Sequence, residues 1–386
     1  MRKLSLALVA VGFVGINACG EDQPPPKAPE TPPPATASAT PVATAEPPKE
    51  PEKPKKSPME LQKETMVGMG EAMNAHDAKK LSGFYADGAV VKQAGAPDSS
   101  GKEAVAQSYT KLFEAFPDFK TMASRVFVKG DQVAVEWAFN ATHKGDLYGM
   151  KATEKPVGTQ GLDVEWFTPE GLVKEQHVYF DMGTILSQTG MSKQKARPIP
   201  TIASKPEVIV SNGGPEEAKN VEVVKNLTAA LDGKKEADFL ALLADNIEYD
   251  DYTQPQGMKG KADGKKFFKE MTTGFPDGKH TITNTLAVND YVITEGTMEG
   301  THKGSFFGIA PTKKPVNVKN VTIFQIKDGK MVKGWAYSNG ADFAMQLGLM
   351  PKPGGAPATK AGDKPAAGKP ADTKAPVTAP KPADKK

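Results

Sequence analysis

Apolar positions along this chain change their period from helical to alternating, and the change happens twice in the same order. In the first stretch Met66, Met69 and Met73 recur on one helical face, and Val105, Tyr109, Leu112 and Phe116 fall at i, i+4, i+7 and i+11. Ser57-Pro58-Met59-Glu60 has the form of a capping box with proline at the first helical position. Asp77 is placed to cap a short second helix whose Leu81, Phe84 and Tyr85 face inward, with a short strand over 89–91 after it. Pro117 forces the chain out of the third helix. The period then becomes two: residues 125–129, 132–142, 158–168 and 172–180 read as four strands.

The second stretch repeats the plan. Pro215 stands at a helix start, Val224, Leu227 and Leu231 form its stripe, Phe239, Leu240 and Leu243 mark the next helix, and Phe268, Met271 and Phe275 the third, closed by Pro276. Strands are expected over 281–288, 291–301, 315–326 and 331–337, with a tight hairpin at Lys327-Asp328-Gly329. His143 and His302 stand 159 positions apart, as do the Phe-Pro-Asp runs at 116 and 275, while Gly171 and Gly329 stand 158 apart. A repeat of that length means two domains rather than a solenoid. The expected class is α+β: two tandem domains, each of three helices on one face of a curved antiparallel sheet.

Composition changes the picture only at the ends. The apolar run over 4–14, behind Arg2 and Lys3, has the length of a signal segment and is too short to span a bilayer. Ile16-Asn17-Ala18-Cys19 resembles a bacterial lipobox, so the expected division is a leader over 1–19 ending at a lipidated Cys19, then a Pro-rich spacer over 20–56. At ~3.1 Å per residue such a spacer reaches roughly 110 Å from a membrane. Domain 1 follows over 57–191, a linker over 192–213, domain 2 over 214–350 and a Lys/Ala/Pro tail over 351–386. The expected location is the cell envelope, on the exported side. A net charge of +3, much of it from the tail, argues against a nucleic-acid partner. Five scattered His and a single Cys give no metal-ligand spacing, and neither a cofactor motif nor a phosphate loop is visible.

Phe275-Pro276-Asp277, the run Gly300-Thr301-His302 through Pro315-Val316, Asp328-Gly329-Lys330 before Trp335, and Gln346-Leu347-Gly348 together resemble the SnoaL-like polyketide cyclases, also called ester cyclases. The first copy matches more loosely. The resemblance implies the cone-shaped fold shared with ketosteroid isomerase and nuclear transport factor two, with an apolar pocket. It also implies an acid on the last strand that serves as general acid and base in an aldol closure, four residues after a Trp or His. That pattern falls on His177 and Asp181. Strand alternation puts His177, Tyr179 and Asp181 on one face, expected to line the cone.

The second copy has Trp335, Tyr337 and Asn339 there, and a neutral amide has no proton to exchange near pH 7, so domain 2 is expected to lack that chemistry. Asp250 and Asp251 lie where a family strand also tends to carry an acid, opposite Lys92 and Gln93 of the first copy. His143 and His302 are read as fixing the loop after their hairpin, with ligand contact as the alternative; Tyr179, Trp335, Tyr337 and Asn339 are the other expected ligand contacts. Three functions stay open: a tethered module binding a small apolar molecule, an aldol-type cyclase or isomerase using Asp181, and a protein-interaction scaffold. The two domains are expected either to pair with one another as a pseudo-dimer or to form a homodimer.

Overall fold

The computed structural model describes residues 56–147 and 149–350. The expected leader with Cys19, the spacer up to residue 55 and the tail over 351–386 lie outside the described residues.

Domain 1 opens with α1 (Pro58–Asn74), whose capping box is closed from both sides: Glu60 N donates to Ser57 Oγ at 3.3 Å and Ser57 N donates to Glu60 Oε2 at 2.7 Å. Helix α2 (Ala78–Ser82) is capped by Asp77, which accepts from Lys80 N at 2.8 Å. Strands β1 (Tyr85–Gln93) and β2 (Ser99–Ser100) precede α3 (Lys102–Ala115), which stops before Pro117. Then come β3 (Lys120–Lys129), β4 (Gln132–Thr142), β5 (Pro156–Phe167) and β6 (Val173–Phe180), followed by α4 (Met182–Thr189). Met69 is buried in the cluster under the helices, with Met66 and Met73 packed against it, so the methionine stripe is core.

Domain 2 has α5 (Pro215–Asp232), α6 (Glu236–Ala241), β8 (Leu243–Asp251), β9 (Met258–Lys259), α7 (Gly260–Gly274), β10 (Lys279–Val288), β11 (Tyr291–Thr301), β12 (Pro315–Lys327), β13 (Lys330–Ser338) and α8 (Gly340–Gln346). The hairpin between β12 and β13 turns on Asp328 at φ 51° and Gly329 at φ 71°, two successive left-handed residues of the kind a two-residue hairpin requires.

Three features depart from the sequence reading. Each sheet is mixed rather than antiparallel, because β1 pairs in parallel with β6, and β8 with β13. The chain leaves each of these first strands through a helix and fills in the rest of the sheet before the last strand returns beside the first. Each domain also carries a fourth helix, α4 or α8, too short for periodicity to reveal. Finally, the linker contributes β7 (Glu207–Val210), which adds in parallel to the outer edge of β3.

The outer faces of the two sheets meet in one apolar cluster. Phe127, Ala134, Leu162, Val164 and Tyr179 come from domain 1, and Leu286, Ile293, Val321, Ile323 and Tyr337 come from the equivalent positions of domain 2. Each fully buried side chain of this size is worth about 1.5–3 kcal/mol, so the faces hold together by ordinary core packing.

Candidate functional site

On β6 the alternation is as expected but the directions are exchanged. Gln176 reaches into the cone of domain 1, where its Oε1 accepts from Tyr85 OH at 2.7 Å, and Phe180 packs on Trp137. His177, Tyr179 and Asp181 face the other domain. His177 Nδ1 stands 2.6 Å from Glu295 Oε1 and its Nε2 2.8 Å from Glu175 Oε1, while Tyr179 OH donates to Glu295 Oε1 at 2.9 Å. Partial burial pulls the His177 pKa down, but Glu295 and Glu175 outweigh it and hold the ring above its ordinary value.

The partner arrangement is related by the repeat. Glu136, equivalent to Glu295, accepts from Tyr337 OH and from Arg125 Nε and Nη2 at 2.5 and 2.8 Å, and the Arg125 guanidinium lies 3.8 Å from the centre of the Trp335 ring. Both glutamates are buried, and each meets one basic side chain: Arg125 in one half, the His177 ring in the other.

Asp181 is 3% exposed and caps α4 rather than lining a pocket. Its Oδ1 accepts from Gly183 N and from Gly340 N of domain 2, both at 2.9 Å; its Oδ2 accepts from Thr184 N and Thr184 Oγ1, both at 2.8 Å. Burial raises its pKa against these four bonds, yet all four point at protein donors. Asn339 caps α8 in the same way through Ala341 N at 3.2 Å and Asp342 N at 3.3 Å, and its Nδ2 donates to Ala94 O of domain 1 at 3.0 Å. The expected catalytic pair and the expected ligand contacts Tyr179, Trp335, Tyr337 and Asn339 are thus brought together, but between the domains. The alternation of a strand names two faces without saying which one meets the helices.

His143 and His302 are fully buried at strand ends. Their Nδ1 atoms lie 3.1 Å from Thr153 Oγ1 and 3.2 Å from Thr312 Oγ1, and their backbone carbonyls accept from Glu154 N and Lys313 N across the following loop. They fix that loop in both domains, and neither lines a cavity described here.

The two cone interiors differ. That of domain 1 is filled by a polar network: Gln176 Nε2 donates to Asp163 Oδ2 at 2.9 Å and to Glu165 Oε1 at 3.0 Å, and Trp137 Nε1 donates to Asp163 Oδ1 at 2.8 Å. Burial pushes Asp163 up to about 7, and burial together with the Asp163 charge pushes Glu165 up to about 8. In domain 2 the equivalents of Tyr85, Asp163, Glu165 and Gln176 are Leu243, Thr322, Phe324 and Gly334, as the strand registers show. Leu243, Thr322 and Phe324 line a cavity of about 250 Å³, while Met331 and Tyr249 fill the place beside Gly334. Leu231, Met271, Phe275 and Phe306 line its helical and loop side, and Asn320, Thr322 and Ser338 its sheet side.

Two carboxylates reach this cavity: Glu295, which is met by His177 and Asn284, and Asp251. Asp251, at the end of β8, lines the wall; its Oδ1 accepts from Thr253 N at 2.9 Å and Thr253 Oγ1 at 2.8 Å. Its Oδ2 accepts no hydrogen bond from the described residues. Burial raises its pKa, the Thr253 bonds oppose this, and the charge of Asp181 behind the wall adds to the rise. Aligning the two copies gives the signal for this site, because the changes to Leu243, Thr322 and Phe324 and the acid at 251 all fall in the second copy. No cluster of potential metal ligands occurs among the described residues. No described helix is long and apolar enough to cross a membrane.

The family model of SnoaL-like polyketide cyclases matches residues 64–189 and 221–347, and the chain belongs to that family, with one copy per domain. No curated protein matches the chain. Among solved structures, a protein from Jannaschia sp. CCS1 assigned as a SnoaL-like polyketide cyclase is similar at 21% identity, covering 35% of this chain and 94% of its own, with a TM-score of 0.33. TsrD from Streptomyces laurentii matches at 18% identity over 34% of this chain and 97% of its own, with a TM-score of 0.32. A protein with a ketosteroid isomerase-like fold from Catenulispora acidiphila DSM 44928 matches at 20% identity over 35% and 98%, with a TM-score of 0.30.

Proposed function

We propose that domain 2 is the working half of this chain: a cup that binds a small, largely apolar molecule and presents the Asp251 carboxyl to an oxygen or an acidic carbon of that molecule. The observation that carries this reading is Asp251, whose Oδ2 accepts no hydrogen bond from the described residues, on the wall of a cavity lined chiefly by Phe, Met, Leu, Ile and Thr side chains, with Glu295, His280, Asn320 and Gln254 among its other polar groups. Such a pocket selects an apolar body with a few oriented polar contacts. A carboxyl whose pKa is raised by burial is also suited to take a proton from carbon and return it to a developing alkoxide, which makes a cyclase- or isomerase-type step the second reading. In either case the acid is Asp251 and the site is in domain 2.

Domain 1 serves in this reading as the rigid partner whose sheet backs the cup. The lipidated Cys19 and the Pro-rich spacer would tether the pair to the envelope.

Fluorescence titration with 2-naphthol, an apolar ring system with one hydroxyl, tests the cup. Wild type should bind saturably. Asp251→Asn should lose roughly ten- to a hundredfold in affinity, corresponding to a charge-assisted hydrogen bond of about 1.5–3 kcal/mol. Ala336→Phe, which fills the cavity from β13, should abolish binding. Binding that neither substitution alters would place the ligand elsewhere and sink the reading.

A further inference from the structure

We propose that Arg197, in the segment joining the two domains, is a positioning residue for the domain 2 cup, holding the turn that carries Asp251, Thr253 and Gln254 in the cavity wall. The inference rests on the function proposed above.

The turn itself is short on internal support. Gln254 N donates to Asp251 O at 2.9 Å, and Oδ1 of Asp251 accepts from Thr253 N and Oγ1. Tyr252 N also donates to Ala336 O of β13 at 3.0 Å, and Arg197 adds three hydrogen bonds from outside the domain. Its Nη1 donates to Asp251 O at 3.0 Å and to Gln254 O at 2.8 Å, and its Nη2 donates to Asp250 Oδ1 at 3.0 Å. The guanidinium lies 4.6 Å from the centre of the Tyr252 ring, which in turn stacks on Tyr337 at 4.6 Å. Two carbonyls, one carboxylate and one aromatic face are therefore met by a single planar fork, a set that a lysine ammonium does not reproduce.

The arginine is itself anchored to domain 1. Its carbonyl accepts from Gln188 Nε2 of α4 at 3.1 Å, and Gln188 is fixed on β5 through Gly158 N and O, both at 2.9 Å. A continuous chain of hydrogen bonds thus runs from the domain 1 sheet, through the linker, to the wall that holds the pocket acid. The corresponding turn of domain 1 carries Lys92, Gln93 and Ala94 in place of Asp250, Asp251 and Tyr252, so it offers neither the carboxylate nor the aromatic platform. The clamp occurs where the cavity is. Besides holding geometry, the guanidinium lowers the cost of charging Asp251, since its positive charge opposes the rise caused by burial.

Full-length Arg197→Met and Arg197→Lys, read by three measurements, test this. In Arg197→Met, hydrogen exchange of the 251–254 amides should quicken by about tenfold or more, as expected for a turn that has lost its clamp. The Asp251 carboxyl should titrate higher by NMR, and 2-naphthol affinity should fall by about tenfold. Arg197→Lys should recover the titration but not the exchange protection. Faster exchange with unchanged Asp251 titration and unchanged 2-naphthol affinity would reduce Arg197 to a structural clamp and overturn the proposal, as would no change in any of the three. If Asp251→Asn and Ala336→Phe bind 2-naphthol like wild type, the cup reading has failed instead, and the positioning role goes with it.

Discussion

Asp181→Asn distinguishes a residue that does chemistry from one that holds two helices together. Each oxygen of Asp181 accepts two bonds, Oδ1 from Gly183 N and Gly340 N and Oδ2 from Thr184 N and Oγ1. An asparagine keeps one oxygen and turns an NH₂ group toward donors. The least costly placement points that NH₂ at Thr184, whose hydroxyl can rotate to accept, leaving Thr184 N without a partner in a site 5% exposed. An unmet buried N–H costs about 1–3 kcal/mol, and loss of the negative charge at two helix N-termini adds some tenths to about 1 kcal/mol. The expected loss is therefore about 2–3 kcal/mol, or roughly 1 M in the urea midpoint followed by tryptophan fluorescence. Binding of 2-naphthol in the absence of urea should stay at the wild-type level, because Asp181 lies behind the cavity wall rather than in it. A midpoint within about 0.2 M of wild type, together with lost binding or turnover, would refute the capping role and restore Asp181 to the chemistry.

Two further outcomes are expected. The folded Asp163 and Glu165 carboxyls titrate near about 7 and 8, well above the unfolded values of 3.8 and 4.5, so the native state holds protons that the unfolded chain has already released. Stability should fall as pH rises through the window from about 5 to 8, by up to about 1.4 kcal/mol per pH unit for each group, and Asp163→Asn/Glu165→Gln should flatten the slope; a wild-type midpoint equally flat over that window contradicts it. Separately, Cys19→Ser should release the full-length protein from membranes on fractionation, and membrane association equal to wild type removes the tether from the proposal.

Much of the architecture was readable because it depends on local rules: the capping box at Ser57, the stop at Pro117, the Asp328-Gly329 hairpin, and a repeat offset that carries every element of one domain onto the next. The parallel pairing of β1 with β6 was not readable, since it joins segments separated by the whole domain and leaves no periodic trace. The surroundings of the polar set on β6 are not legible for a related reason. His177, Tyr179 and Asp181 form a polar set that suits an active site, and the same composition suits a buried interface between two sheets, where each polar atom must find a partner. What decides between them is the other domain. Asp250 and Asp251 are visible in the sequence as acids, but whether either meets a cavity depends on which cone is hollow, and that follows from the side chains at 243, 322 and 324.

Covalent linkage explains why the two copies differ where they meet. In a symmetric dimer every interface residue faces the same surface on its partner, so a carboxylate and a neutral amide cannot divide a two-fold position between them. Here they do. Asp181 faces a donor, Gly340 N, and Asn339 faces an acceptor, Ala94 O, so the acid in one copy and the amide in the other each suit what lies opposite. The same division gives each buried glutamate a basic partner, Arg125 from the sheet of Glu136 in one half and His177 from across the interface in the other. Once the outer faces are committed to one another in this way, the interiors can diverge without loss of the pairing. The first cone closes around Asp163, Glu165 and Gln176, while the second, with Thr322 and Phe324 in place of the two acids, keeps a cavity beside Asp251.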